Sequence, residues 1–164
     1  MIMENTKDTF YITMRNRLAT VNPNRTMVVR AVTRAGILVE EAEAPVAQLP
    51  LDVFVLRWTK LSTDTELPSI LTLLTCEIHY VTAGTQTNAG LDRGRALAEM
   101  DDELLQILCP QSRPKMNYTQ TPAAQMGTCI FWSQATFAAQ TNTRECLGRV
   151  ATVNIFAFQE QGEK

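Results

Sequence analysis

The residues from 90 to 110, GLDRGRALAEMDDELLQILCP, contain the densest group of chemically versatile side chains in the chain, with two arginines, a run of carboxylates and a thiol. Carboxylates that converge can bind a divalent cation or carry out acid–base chemistry. The apolar residues, however, recur at the spacing of one helix face: Leu97, Met100, Leu104, Ile107 and Leu108. Consecutive helix positions point about 100° apart, so Asp101, Asp102 and Glu103 would diverge. We therefore predict that these charges mostly form the solvated face of a helix.

His79 is the only histidine, and Glu77 lies two positions before it. On a strand both side chains would lie on one face, where they could act as a general base and its orienting partner. Such chemistry also needs a nucleophile and a group that stabilises an oxyanion, and the sequence indicates neither. The glycines at 90 and 94 lack the strand–turn–helix pattern of a phosphate-binding loop. We therefore expect a protein that is not an enzyme, without catalytic residues or a cofactor.

The four cysteines, Cys76, Cys109, Cys129 and Cys146, are scattered singly, without the spacings that chelate zinc. We predict four free thiols and no metal site. Cys76 and Cys129 lie in apolar stretches, so we expect both to pack as small hydrophobic residues. The first residues lack the basic and apolar regions of a signal peptide, which favours a reducing cytoplasm.

The composition is that of one folded domain spanning residues 1–164, with 45% hydrophobic and 20% charged residues. A net charge of −2 provides no basic surface for a phosphate backbone, so we expect no nucleic-acid binding. No apolar run approaches the length of about eighteen residues that a membrane-spanning helix needs. We therefore expect no membrane interaction.

The elements that must position these side chains follow from periodicity. Phe10, Met14, Leu18 and Val21 predict an amphipathic helix, which the sequence Asn-Pro-Asn at 22–24 should end. Residues 27–39 predict one or two short strands, and residues 51–58 predict a strand covered on both faces. The segments 59–68 and 111–122 are polar and contain proline, so they are predicted to be loops, the second an irregular loop or extended arm.

A long strand is predicted at residues 69–84, with one dry face formed by Leu74, Cys76, Ile78 and Tyr80. Two further strands, at 128–140 and 149–161, should pair as a hairpin. Together with the two main helices, these elements predict an α+β fold. In that fold an antiparallel or mixed sheet of four to six strands has both helices packed on it.

Taken in order, the pieces RAGILVEEAEAP, LPLDVFVLRW, CEIHYVTAG, GLDRGRALAEMDDELLQIL, IFWS and RVATVNIFAF resemble the tail terminator proteins of long-tailed bacteriophages, also called tail completion or neck proteins. The resemblance covers most of the chain. Its carriers are the order of elements: an N-terminal helix, paired strands, a helix introduced by Asp-Arg-Gly-Arg, and a closing hairpin. Residues 110–122 have no counterpart in that pattern.

This resemblance implies an α+β subunit of a homo-oligomeric ring, expected to be a hexamer, that caps the tail tube and ends its polymerisation. The implied partners are the tail tube protein and the head-side connector or neck protein, with the sheath as a further candidate. The implied location is the tail or neck of the virion, and the host cytoplasm during assembly. Two alternatives stay open: another structural head–tail connector or tube-like virion protein, and a small cytoplasmic enzyme.

Eight residues are predicted to contact neighbouring subunits or tail partners. Five lie on the predicted helix 93–108, and three lie in the segment 111–122: Arg93, Arg95, Glu99, Asp102, Glu103, Arg113, Lys115 and Tyr118. Complementary charges would set the register of a ring interface, and a tyrosine would contribute apolar area. We expect the segments 59–68 and 111–122 to be mobile in the free subunit and to become ordered against partners.

Overall fold

Two helices form as predicted in this computed structural model, which describes residues 2–40, 49–85, 89–143, 145–160 and 163. Helix α1 spans Ile2–Val21 and ends just before the Asn-Pro-Asn stop. Helix α2 spans Arg93–Ile107 and presents the predicted apolar stripe to the core. Neither helix within these ranges is long and apolar enough to span a membrane.

Ten strands form two sheets in the described ranges. Strands β1 (Thr26–Val29) and β2 (Val32–Ala35) make a separate antiparallel hairpin. The other eight belong to one sheet: β3 (Ile37–Val39), β4 (Phe54–Asp64), β5 (Leu71–Thr82), β6 (Ser112–Asn117), β7 (Ala124–Trp132), β8 (Thr136–Phe137), β9 (Thr141–Thr143) and β10 (Cys146–Phe158).

The order in the large sheet is β3-β4-β5-β10-β7-β6, and β8 and β9 also pair with β10. Strand β10 pairs with β5 along its whole length on one side, and with β9, β8 and β7 in succession on the other. The contact of β3 with β4 is parallel, and the other described pairings are antiparallel. The predicted closing hairpin is present in outline, because β7, β8 and β9 all pair antiparallel with β10. The first predicted strand, 128–140, is divided between β7 and β8, and the predicted turn at 141–148 contains β9 and the start of β10.

The predicted fold class is wrong. In the described ranges the protein is mostly β, with 46% strand and 23% helix, and its curled sheet has eight strands rather than four to six. Strands β3, β8 and β9 contain two or three residues each, which is too short to show an alternating pattern. They form because a long neighbour, β4 or β10, supplies their hydrogen-bond partners.

Each predicted loop is at least half strand. Residues 59–64 continue β4, and residues 112–117 are β6, which pairs with β7. Proline favours a loop, but it is tolerated on an edge strand because an edge leaves one row of N–H groups unpaired. Pro114 lies on β6, which is at the end of the sheet order.

One hydrophobic core lies between the two helices and one face of the sheet. The predicted dry face of β5 is confirmed, because its burial alternates along the whole strand. Phe10 of α1 makes edge-to-face contacts with Trp58 and Trp132, with ring centroids 5.9 and 5.5 Å apart. Cys76 is buried in this core as predicted, whereas Cys129 is exposed on the outer face of β7.

Candidate assembly surfaces

The predicted charged face of α2 forms, except at one position. Arg95, Glu99 and Asp102 are exposed, and Arg93 is half-buried with its Nε donating to the carbonyl of Gly90 at 2.8 Å. These four residues are referred to below as the α2 charged face. They remain candidates for contacts with partners.

Glu103 is the exception, because it is buried and bonded within the subunit. Its carboxylate accepts hydrogen bonds from the guanidinium of Arg25 through Nε and through Nη2, the latter at 3.0 Å. It also accepts from Asn22 Nδ2 at 2.6 Å, and Arg25 Nη1 donates to the carbonyl of Asp52 at 3.0 Å. The expectation that Glu103 is a surface contact is therefore wrong. The residue joins the end of α1, the base of the β1–β2 hairpin, the chain before β4, and α2.

A second polar cluster links α2 to the sheet. The hydroxyl of Tyr80 donates to Asp101 Oδ1, and Arg149 Nε donates to the same oxygen at 3.0 Å. Burial, and next the neighbouring Asp101, raise the pKa of Tyr80 far above its ordinary value. The phenol therefore stays protonated and acts as a hydrogen-bond donor that fixes α2 against β5 and β10.

The three residues predicted from segment 111–122 do not share a surface. Arg113 is exposed, but Lys115 is fully buried, with Nζ donating to the carbonyl of Phe158 and to Glu163 Oε2, each at 2.7 Å. Tyr118 is half-buried. Lys115 is therefore a structural residue rather than a contact for partners, and that prediction is wrong.

Tyr118 lines a cavity of about 240 Å³ between α1 and the sheet, together with Tyr11 and Trp58. Asp8 and Glu4 also line it, and burial, followed by the proximity of Glu4, raises the pKa of Asp8. Basic residues of α1 lie around the same cavity, so it carries charges of both signs. It does not select a ligand of one charge.

An open groove of about 580 Å³ lies at the start of α2, between Asp52, Gly90, Arg93 and Glu145. Within the described part of the chain, no group of three or more histidine, cysteine or acidic residues could hold a metal ion.

The predicted His79–Glu77 pair forms, with Nε2 and Oε2 3.0 Å apart.

Two apolar patches that the sequence did not indicate lie outside α2. We call Val28, Arg30 and Val32 the hairpin patch, because they project from the β1–β2 hairpin. We call the exposed residues around the β4–β5 connection the β4–β5 tip: Leu61, Asp64, Glu66, Leu67 and Ile70. Val28 and Val32 are 67% and 61% exposed, and the apolar residues of the tip are between 37% and 49% exposed.

Comparison of the chain with models of known protein families and with curated protein sequences gives no match. Its function is therefore inferred from the order of the elements and the surfaces described above.

Proposed function

We propose that this chain is a structural virion protein, a phage tail terminator. About six copies would form a closed ring that caps the tail tube, stops its polymerisation and joins the tail to the head-side connector. The protein acts by binding, through surfaces that face its own copies, the tube protein and the connector. It carries out no chemical step.

The observation that carries the proposal is the order of the elements. An N-terminal helix is followed by paired strands, a helix that begins at the sequence Asp-Arg-Gly-Arg, and a closing hairpin. This is the order on which the resemblance to tail terminators rests. Asp92 occupies the N-cap position of α2 and accepts the N–H of Thr85 at 2.9 Å, so the start of this helix is fixed to the chain before it.

The distribution of exposed residues also supports a ring subunit. A ring needs two different surfaces on each copy that fit each other, whereas a two-fold dimer uses one surface twice. The hairpin patch, the β4–β5 tip and the α2 charged face are three separate exposed regions with different chemistry. Three regions are enough for two ring contacts and one contact with another tail protein.

The first test is the mass of the purified protein. Native mass spectrometry should find a species near 110 kDa, about six times the 18.3 kDa chain, and electron microscopy should show it as a ring. The second test is deletion of the gene from the phage that encodes the chain, with complementation as the control. Tails of uncontrolled length and unjoined heads are expected. Joined particles with tails of normal length would contradict the proposal.

The α2 charged face is proposed to take part in the contacts between subunits or with other tail proteins. Reversal of Arg93 and Arg95 to glutamate should weaken assembly while leaving the fold intact, and most strongly at low salt, where charges are least screened. Arg95→Glu alone serves as the milder variant, because it leaves the bond of Arg93 to Gly90 in place. Unchanged assembly of both variants at low salt would remove α2 from the interface.

A further inference from the structure

The β1–β2 hairpin stands apart from the large sheet. Its strands have four residues each and pair only with each other within the described ranges. The turn places Arg30 and Ala31 at φ of 50° and 65°, the left-handed pair of a tight two-residue connection. The hairpin is held mainly at its base, where Arg34 Nη2 donates to Tyr11 Oη at 3.0 Å and to the carbonyl of Ile37 at 3.1 Å.

An isolated two-stranded hairpin is at best marginally stable in water. In this hairpin Val28 pairs with Thr33, and Val32 pairs with Val29. Paired residues share a face and neighbouring residues alternate, so Val28 is exposed on one face of the hairpin and Val32 on the other. A projecting element with apolar side chains on both faces gains stability when another surface covers it.

The β4–β5 tip has the complementary chemistry. Three exposed apolar side chains lie there, and Asp64 and Glu66 add two carboxylates. Asp64 Oδ1 accepts the N–H of Glu66 at 3.0 Å, which closes a local turn at the start of the connection. The hairpin patch carries the opposite charge, the exposed guanidinium of Arg30 at its turn.

The base of the hairpin and the β4–β5 tip lie toward opposite ends of β4. The hairpin enters β3 through Gly36, whose carbonyl accepts the N–H of Phe54, the first residue of β4. The β4–β5 tip begins at Leu61, three residues before β4 ends at Asp64. Seven strand steps, roughly 23 Å, separate Phe54 from Leu61. Both patches are exposed in the subunit, so the hairpin does not cover the tip of its own subunit.

We infer that the hairpin patch of one copy docks onto the β4–β5 tip of a second copy of this chain, and that this head-to-tail contact is the repeated contact of the ring. Different patches at opposite ends give a heterologous interface, which closes into a ring when the rotation between copies allows it. The valines pack against the exposed leucines and isoleucine, and Arg30 pairs with the carboxylates. This inference rests on the proposed function for the ring, but the contact itself can be tested separately.

The test is a set of surface variants whose self-association is measured by sedimentation velocity over a concentration series. Val28→Ser combined with Val32→Ser should raise the dissociation constant by about tenfold or more, because two apolar side chains lose their cover. Leu91→Ser is the matched control, since Leu91 is 88% exposed and belongs neither to the two patches nor to the four residues of the α2 charged face. It should leave the constant unchanged. Far-UV circular dichroism verifies that each variant is folded.

A charge exchange tests the pairing of the two patches directly. Arg30→Glu alone and Glu66→Arg alone should each raise the dissociation constant by about three- to fivefold at low salt, as expected for an ion pair at a rim. The double variant should return to within about twofold of the original chain, because the pair is restored with its charges exchanged.

The outcomes separate this inference from the proposed function. A ring with an unchanged dissociation constant in the Val28/Val32 variant overturns the docking contact but leaves the tail role standing. Open chains or dimers that the same variant abolishes support the contact and argue against a closed ring. A folded chain that stays monomeric at every concentration overturns both.

Discussion

Glu103 is the residue at which four elements meet, so its replacement by alanine tests the packing of the whole subunit. The variant removes a carboxylate that accepts bonds from Arg25 and Asn22. It leaves the guanidinium of Arg25 nearly buried, with Nη1 still donating to the carbonyl of Asp52. The β1–β2 hairpin, whose base Arg25 holds, should also lose its fixed position.

The expected cost follows from the burial of the pair. Removing one partner of a buried ion pair typically costs 3–5 kcal/mol, because the other charge stays buried and unpaired. The side chains of Arg25 and Glu103 are 11% and 10% exposed, so some solvation remains and the lower end, about 3 kcal/mol, is expected. In a domain of this length that corresponds to a melting temperature lower by about 6–12 °C.

The assay is urea unfolding at pH 7, followed by the fluorescence of Trp58 and Trp132, both in or against the core. Glu99→Ala is the matched control, because it removes the same charge from an exposed position one turn earlier on the same helix. Its free energy of unfolding should change by no more than about 0.5 kcal/mol. A double-mutant cycle with Arg25→Met measures the energy of the pair itself.

The interpretation fails if Glu103→Ala costs no more than Glu99→Ala. It also fails if the two changes in the cycle are simply additive, because that would mean that Arg25 and Glu103 do not interact. A large cost accompanied by weaker ring assembly would show that the position of the hairpin matters for docking.

Three further predictions concern the Lys115–Glu163 pair and the cysteines. Burial would raise the pKa of Glu163, but the hydrogen bonds from Lys115, from the N–H of Glu160 and from Asn5 outweigh it and hold that pKa below the ordinary value of 4.5. The carboxylate therefore stabilises the fold above about pH 4.5, and this contribution is lost as the pH falls through the lowered pKa. Glu163→Gln should therefore flatten the dependence of the urea midpoint on pH below 4.5. An unchanged slope would mean that the Lys115–Glu163 pair does not cause this pH dependence. Lys115→Met should cost about 3 kcal/mol at pH 7, and adding Glu163→Gln should recover part of it, because the unpaired carboxylate is then removed. In a thiol titration without denaturant the exposed Cys109 should react promptly, whereas Cys76 should react only on unfolding; prompt reaction of Cys76 would contradict its burial.

The elements with strong periodicity were predictable from the sequence. The apolar stripes of α1 and α2 and the alternation along β5 each repeat over three or more turns or strand pairs, so local spacing alone indicates both the element and its buried face. The closing pair of strands was predictable for the same reason. The tail role rests on the order of these elements and remains a proposal.

The short and polar strands were not predictable in this way. A strand such as β8, with two residues, has no pattern of its own, and it exists because β10 offers an unpaired edge beside it. The missed strands changed the fold class, since they raised the sheet to eight strands. The projecting hairpin and the β4–β5 tip were missed as surfaces because exposure depends on what the rest of the chain covers.

The charged residues show most clearly the difference between what local sequence determines and what tertiary contacts determine. The sequence by itself determined which positions of α2 carry charge and that most of them face water, because helical spacing is a local property. Only the tertiary structure decided that Glu103 and Lys115 are buried. Their partners lie far away in the chain, Arg25 at a separation of 78 residues and Glu163 at 48, and nothing local records such a pairing. A charged side chain can leave water only where the fold brings an opposite charge and further hydrogen bonds to it.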